Sequence, residues 1–171
     1  RGRAIVMDLG GGSLELALTA EGIVERYVSL PFGAVRLTEE FLRDRTPAKG
    51  VKKLRKAVRE ELRRTIAVRD WRGAEVIGSG GTFTNLAGMF LARQGLQVAH
   101  SVHGTRMPWH EIEHILEMLQ ELTPEERLGV PGLNAGRADI IVAGLAVAAE
   151  LCARIEPRGF VASAYGIREG L

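Results

Sequence analysis

A short apolar run that ends in a carboxylate and gives way to consecutive glycines constrains this chain more than any other feature. Arg3 to Asp8 is followed by Leu9-Gly10-Gly11-Gly12-Ser13. The run reads as a strand, and the glycines as the turn that ends it. Past the turn, Leu14, Leu16 and Leu18 alternate with Glu15 and Thr19, the period of a half-buried strand. Glu21-Gly22 makes a second turn and Ile23 to Leu30 returns as a third strand, so the chain opens with an antiparallel meander.

The pattern then changes. Pro31-Phe32-Gly33 breaks it, and Val35 to Leu42 reads as a short helix. A long helix follows over Val51 to Val68, with Val51, Leu54, Val58, Leu62 and Ile66 forming one buried stripe. Ala74 to Ile77 is a strand, running directly into Gly78-Ser79-Gly80-Gly81-Thr82 and a helix from Thr82 to Ala92. His100 to Met107 is a loop or short strand. Pro108 to Leu122 is a helix with proline in its first turn, and Thr123-Pro124-Glu125-Glu126 starts another turn of helix. After the Pro/Gly loop Val130 to Asn134, Arg137 to Ile155 reads as one long helix rich in small residues. Gly159 to Ala162 is a last strand and Tyr165 to Leu171 a final turn. A meander followed by alternating helices and strands implies an α/β fold, a mixed sheet with helices packed on it. With 171 residues, 46% of them hydrophobic, one domain or two small lobes sharing a core is expected.

Composition removes several classes of function. The lone cysteine, Cys152, excludes an internal disulfide and a cysteine-based zinc cage. The longest apolar run, Ile140 to Ala149, is too short to span a bilayer. A net charge of +2 is weak support for a nucleic-acid partner, and no DNA or membrane partner is expected. Without a targeting signal, the expected location is cytoplasmic. The chain starts at Arg1 and enters a strand almost at once, which reads as a piece of a longer protein.

Two glycine loops carry the chemistry. Gly10, Gly11, Gly12 and Ser13 let backbone N–H groups crowd around an anion, and Asp8 at the strand end can hold a hydrated Mg²⁺ or orient a water beside it. A tight hairpin brings Glu15 to the same mouth. The bland alternative is a plain hairpin turn with a solvated Asp8. The second loop, Gly78, Ser79, Gly80, Gly81 and Thr82, joins a buried strand to a helix N-terminus, where unpaired N–H groups and the helix dipole favour an anion. Its alternative is a tight connection with Thr82 as N-cap. The two loops together suggest a cleft for a phosphorylated ligand.

Other motifs weigh less. His110-Glu111-Ile112-Glu113-His114 matches the zinc-protease pattern, but Ile112, Ile115 and Leu119 form the core stripe, which turns both histidines to solvent. No third ligand is suitably spaced. Lys52, Lys53, Arg55, Lys56, Arg59, Arg63 and Arg64 crowd one helix, whose simplest reading is a solvated outer face. Asp139 near a helix start suits the helix dipole and could equally place a ligand or metal.

Five blocks, in order and spacing, resemble the exopolyphosphatase/guanosine pentaphosphate phosphohydrolase (Ppx/GppA) family. They are Asp8 to Glu15, Leu30 to Thr38, Gly78 to Thr82, Pro131-Gly132-Leu133 with Arg137 to Ile141, and Ser163 to Gly170. The resemblance implies an RNase H-like domain of the actin-like ATPase and sugar-kinase-like group, with residues 1–171 as the second of two such domains. It implies that Asp8 to Ser13 is the phosphate loop, that Asp8 and Glu15 are the acidic pair near Mg²⁺ and the attacking water, and that Gly78 to Thr82 lines the same cleft. It places Asp139 and Gly144 in a helix packed against the first domain. The family's first domain, with its own phosphate loop and a water-activating acid, has no counterpart here. The implied partners are polyphosphate or guanosine pentaphosphate, that first domain, and a second copy in a full-length homodimer. A kinase of the same fold for acetate or a sugar, and a non-catalytic polyphosphate or alarmone sensor, are the rival readings.

Overall fold

The computed structural model describes residues 2–43, 47–96 and 102–165. The expected turn over Tyr165 to Leu171 and the residues before Val102 in the His100 to Met107 stretch fall outside them, apart from Tyr165 itself.

The meander forms as its alternation dictates. β1 (Arg3–Leu9), β2 (Leu14–Ala20) and β3 (Ile23–Leu30) pair antiparallel in sequence order, with an irregularity at Leu18/Thr19. β4 (Glu75–Ser79) then lies parallel to β1 on its other side, and β6 (Gly159–Ser163) parallel to β4. A two-residue β5 (Arg106–Met107) closes the far edge antiparallel to β6, which gives the order β3-β2-β1-β4-β6-β5. The chain leaves β1 toward one edge and returns beside it toward the other. The switch point therefore lies between β1 and β4, where crevices form at the carboxyl ends of open α/β sheets.

Period-two patterning gives the sheet two unlike faces. Ile5, Met7, Leu9, Leu14, Leu16, Leu18, Val76, Phe160 and Ala162 are buried in the core with the helices. Val6, Asp8, Glu15, Ala17, Ile77 and Ser79 alternate with them and line the other face. The helices are α1 (Ala34–Phe41), α2 (Pro47–Thr65), α3 (Val68–Trp71), α4 (Gly81–Arg93), α5 (Glu111–Gln120), α6 (Pro124–Arg127) and α7 (Ile141–Ile155). The α2 stripe is buried as its spacing requires, Val51 through Ile66 all being 3% exposed or less. A complete capping box at Thr123 and Glu126 starts α6.

Two sequence expectations need correction. The small-residue helix does not begin at Arg137: Ala135–Arg137 forms a 3-10 turn, with Asn134 Oδ1 accepting from Gly136 N–H, and α7 starts at Ile141. Nor does α7 present its small residues outward to another domain. All of its residues except Ala153 and Arg154 are buried within this lobe, and a side chain on Gly144 would meet Thr82 Oγ1 of α4 at 2.6 Å. The alanines are small because neighbouring helices of this same lobe close in around α7.

The basic helix is also more than a solvated face. Glu150, deep on α7 with its side chain 3% exposed, accepts from Arg55 Nε at 2.6 Å and Arg59 Nε at 2.8 Å, and Arg55 reaches on to Glu113 of α5. Burial alone would raise the Glu150 carboxyl, but the hydrogen bonds from Arg59 and Arg55 outweigh it and hold the group below its ordinary 4.5. A carboxyl held low in the folded state stabilises fully above its unfolded value, and that contribution is lost as pH falls below it toward the folded value. Glu150→Ala is expected to cost about 2–3 kcal/mol near neutral pH. That is below the ~3–5 kcal/mol of a fully enclosed pair, because Arg59 stays half in water. Urea unfolding of both proteins from neutral to strongly acid pH checks this, with the gap closing only at the acid end.

Candidate active site

The loop after β1 is shaped by the helix beneath it. Gly10 O accepts from Ala34 N–H at 3.0 Å, and Gly11 O accepts from Val35 and Arg36 N–H at 3.1 Å each. These bonds satisfy the otherwise unpaired first amides of α1. They also fix the loop's polarity. In a trans peptide the N–H points opposite to the C=O, so the amides of Gly11 and Gly12 point away from α1. Neither amide, nor that of Ser13, takes a partner among the described residues. Gly33 approaches so closely that a side chain there would overlap the Gly11 carbonyl. Within the triplet none of the glycines is left-handed, and a side chain on Gly12 would meet nothing within 4 Å. The fold itself does not require glycine at Gly12. Its absent side chain leaves room for something outside the loop.

Strand register brings the acidic pair together. Asp8 of β1 stands opposite Glu15 of β2, with Ser79 of β4 on its other side, Ser163 of β6 beyond, and Ser29 of β3 opposite Glu15. Ser29 Oγ donates to Glu15 Oε1 at 3.3 Å. Asp8 accepts no hydrogen bond among the described residues, and its carboxyl is raised first by burial and then by the charge of Glu15. An open cavity of about 260 Å³ lined by Asp8, Glu15 and Ser79, with Val6, Ala17 and Ile77, lies against the pair. Two opposed carboxylates, one of them lacking a donor, form a hard-oxygen set that suits Mg²⁺ held jointly with phosphate oxygens. A cation there would relieve their repulsion.

The second loop meets the first. Gly80 has a φ of 102°, which only glycine adopts readily, and a side chain on it would lie 2.9 Å from Leu9 O and 3.3 Å from Asp8 Oδ1. Its carbonyl accepts from Phe83 and Thr84 N–H, leaving the Gly81 and Thr82 amides of the first turn of α4 without partners among the described residues. The other residues expected in this loop differ: Gly78 and Ser79 belong to β4, Gly78 and Thr82 face the core, and only Ser79 lines the cavity beside Asp8. A side chain on Gly78 would run into Phe160 and Phe83 of the core at 2.5 and 2.6 Å. Thr82 is 2% exposed and packs against Gly144. Ser79 Oγ donates to the Tyr165 carbonyl at 3.0 Å, as does Ser163 Oγ at 3.1 Å.

One residue of the site escaped the sequence reading. The Arg137 guanidinium lies over Gly81, only 2.5 Å from where a side chain would begin, and has no ion-pair partner among the described residues. A cation at the positive end of a helix is unfavourable unless an anion joins it. Buried Asn85 ties the start of α4 to the segment leading to Arg137: Asn85 Nδ2 donates to Gly81 O at 2.7 Å and Asn85 Oδ1 accepts from Asn134 N–H at 2.6 Å. The only sequence signal was the position of Arg137 just before Asp139. Asp139 itself lies ahead of α7, exposed. The two histidines of the zinc-like pattern are exposed, His110 at the N-cap of α5 and His114 on that helix, and no group of three metal-ligating side chains occurs among the described residues.

The raised Asp8 carboxyl sets a test. A carboxyl raised by folding weakens the folded state as pH climbs past its unfolded value of 3.8. Asp8→Asn is therefore expected to melt higher than the parent sequence at neutral pH, with the difference vanishing below that value. Paired thermal melts across pH measure it.

Comparison with known proteins agrees with this architecture. A family model described as the Ppx/GppA phosphatase family matches residues 1–171. Exopolyphosphatase 2 of Mycobacterium tuberculosis is 32% identical over 161 residues, covering 90% of this chain and 48% of that protein. Exopolyphosphatase 1 of Mycobacterium bovis is 28% identical over 190 residues, covering 99% of this chain and 50% of its own length. The crystal structure of the Aquifex aeolicus Ppx/GppA family member superposes with a TM-score of 0.87 at 28% identity, over 99% of this chain and 55% of that one. The chain thus spans about half the length of the curated relatives it matches. With its mixed six-stranded sheet of the actin-like ATPase fold, the chain belongs to the Ppx/GppA phosphatase family.

Proposed function

We propose that this chain is the second domain of a two-domain hydrolase that removes the terminal phosphate of inorganic polyphosphate or guanosine pentaphosphate, assisted by Mg²⁺. One observation supports the reading: Gly80, at the head of α4, packs against Leu9 and Asp8, so the free first amides of α4 start next to the strand that carries the acidic pair and the loop whose Gly11 and Gly12 amides face away from α1. Donors for anionic oxygens and acidic groups for water or a cation thus lie at the same carboxyl ends of β1 and β4.

In the reaction, water attacks the terminal phosphorus in line, the bridging P–O bond breaks, and the shortened chain departs with the electron pair. The Gly11, Gly12 and Ser13 amides stabilise negative charge on the equatorial oxygens from fixed positions. Arg137 takes oxygens of a neighbouring phosphate at the start of α4. Asp8 and Glu15 orient the attacking water and would hold Mg²⁺, which when bound offsets phosphate charge. The general base is assigned to the companion domain, as the family resemblance implies. The same resemblance supports a full-length homodimer, and the lone cysteine supports a cytoplasmic setting. Among the described residues no helix is long and apolar enough to cross a membrane.

Phosphate release from tripolyphosphate is the direct test. This chain alone is expected to turn over little or nothing beside the full-length protein, and comparable rates would refute the half-site reading. In the full-length protein, Asp8→Asn or Glu15→Gln should lower kcat about 10²-fold or more with binding largely kept. Arg137→Ala should instead raise KM about tenfold. ADP formation in place of free phosphate would favour the kinase reading.

A further inference from the structure

Behind the phosphate loop, a cavity of about 440 Å³ opens between α1, the start of α2 and the turn ahead of α7, a volume typical of small-molecule sites. Its walls are largely apolar, with Val35, Leu42, Val51 and Val142 among them. One buried charge faces it. Arg127 is 4% exposed, and its Nε donates to Leu119 O at 2.9 Å and its Nη1 to Ala138 O at 3.2 Å. Neither partner is charged, and no carboxylate pairs with this guanidinium among the described residues. Nη2 has no partner among the described residues, and Arg127 lines the cavity.

The remaining charges sit at the mouth. Glu39 and Arg43 pair with each other at 3.8 Å, and Asp139 is exposed. Asp139 and Glu125 partly offset the burial that lowers the Arg127 guanidinium from its ordinary range. A guanidinium held in an apolar setting on carbonyl oxygens alone is costly, and an anion in the cavity would complete it.

We propose that this cavity binds a small organic anion, its carboxylate or phosphate head on Arg127 Nη2 and its apolar body against Val35, Leu42 and Val142. The position gives the ligand leverage. One wall is α1, whose first amides hold the Gly10 and Gly11 carbonyls; the other is the segment that follows Arg137. Occupancy therefore sets the spacing between the supports of the two glycine loops. That consequence rests on the phosphate reading above, whereas binding itself does not.

Titration of this chain with hexanoate, hexyl phosphate and hexanol, followed by amide NMR, tests the site. One or both anions should give saturable shifts at Leu42 and Ala138, with hexanol at least about tenfold weaker. Arg127→Met should abolish them. Because that variant also loses two structural anchors, Thr38→Leu, which narrows the cavity and leaves Arg127 intact, should weaken binding about tenfold. Tripolyphosphate should not displace either anion. Absence of saturable shifts, equal binding of hexanol, unchanged binding to Thr38→Leu, or displacement by tripolyphosphate would each overturn the proposal, the last by placing the anion in the cleft.

Discussion

The bonds from the first amides of α1 to the Gly10 and Gly11 carbonyls are the constraint on which the rest of the molecule depends. They do two things at once. They satisfy a helix N-terminus inside the fold, and by peptide geometry they commit the opposite edge of the same loop to presenting donors. A glycine turn has no intrinsic polarity. Here the helix supplies it, and the close approach of Gly33 leaves no room for the loop to invert.

The acidic pair follows from the sheet. Antiparallel register sets Asp8 against Glu15, and parallel register sets Asp8 beside Ser79 at the switch point. Asp8 then has no donor among the described residues and faces a like charge, and its carboxyl is raised first by burial and then by that charge. A structural carboxylate is normally given hydrogen bonds or a cationic partner, as Glu150 is by Arg55 and Arg59. The contrast between buried, doubly paired Glu150 and partly buried Asp8 separates a carboxylate held for stability from one whose surroundings suit the proposed water and cation.

Much of this was legible in the residues. The Leu14-Leu16-Leu18 alternation and the Val51 to Ile66 stripe each encode their own buried face, because strand and helix periods differ. The hairpin spacing already placed Glu15 near Asp8. What was hidden is tertiary. Small residues in α7 look alike whether they admit helices of the same lobe or another domain, and only the structure shows Thr82 over Gly144. Arg55 and Arg59 look like solvated charge until Glu150, nearly a hundred residues away in sequence, is set beneath them. Arg137 stood in a family-like block, but nothing local assigned it to the site. It lies over Gly81, on a segment that Asn85, a helical amide, ties to the same loop. Gly78 shows the opposite limit, since a glycine inside a phosphate-loop pattern is required here by the Phe83–Phe160 contact.

The central claim is that both glycine loops offer their free amides to one bound phosphate chain. Backbone amide NMR of this chain titrated with tripolyphosphate and Mg²⁺ tests it most directly. Gly11, Gly12 and Gly81 should shift together along one binding curve. Shifts confined to one loop, or to the lysines and arginines of α2 with the glycines unmoved, would contradict it.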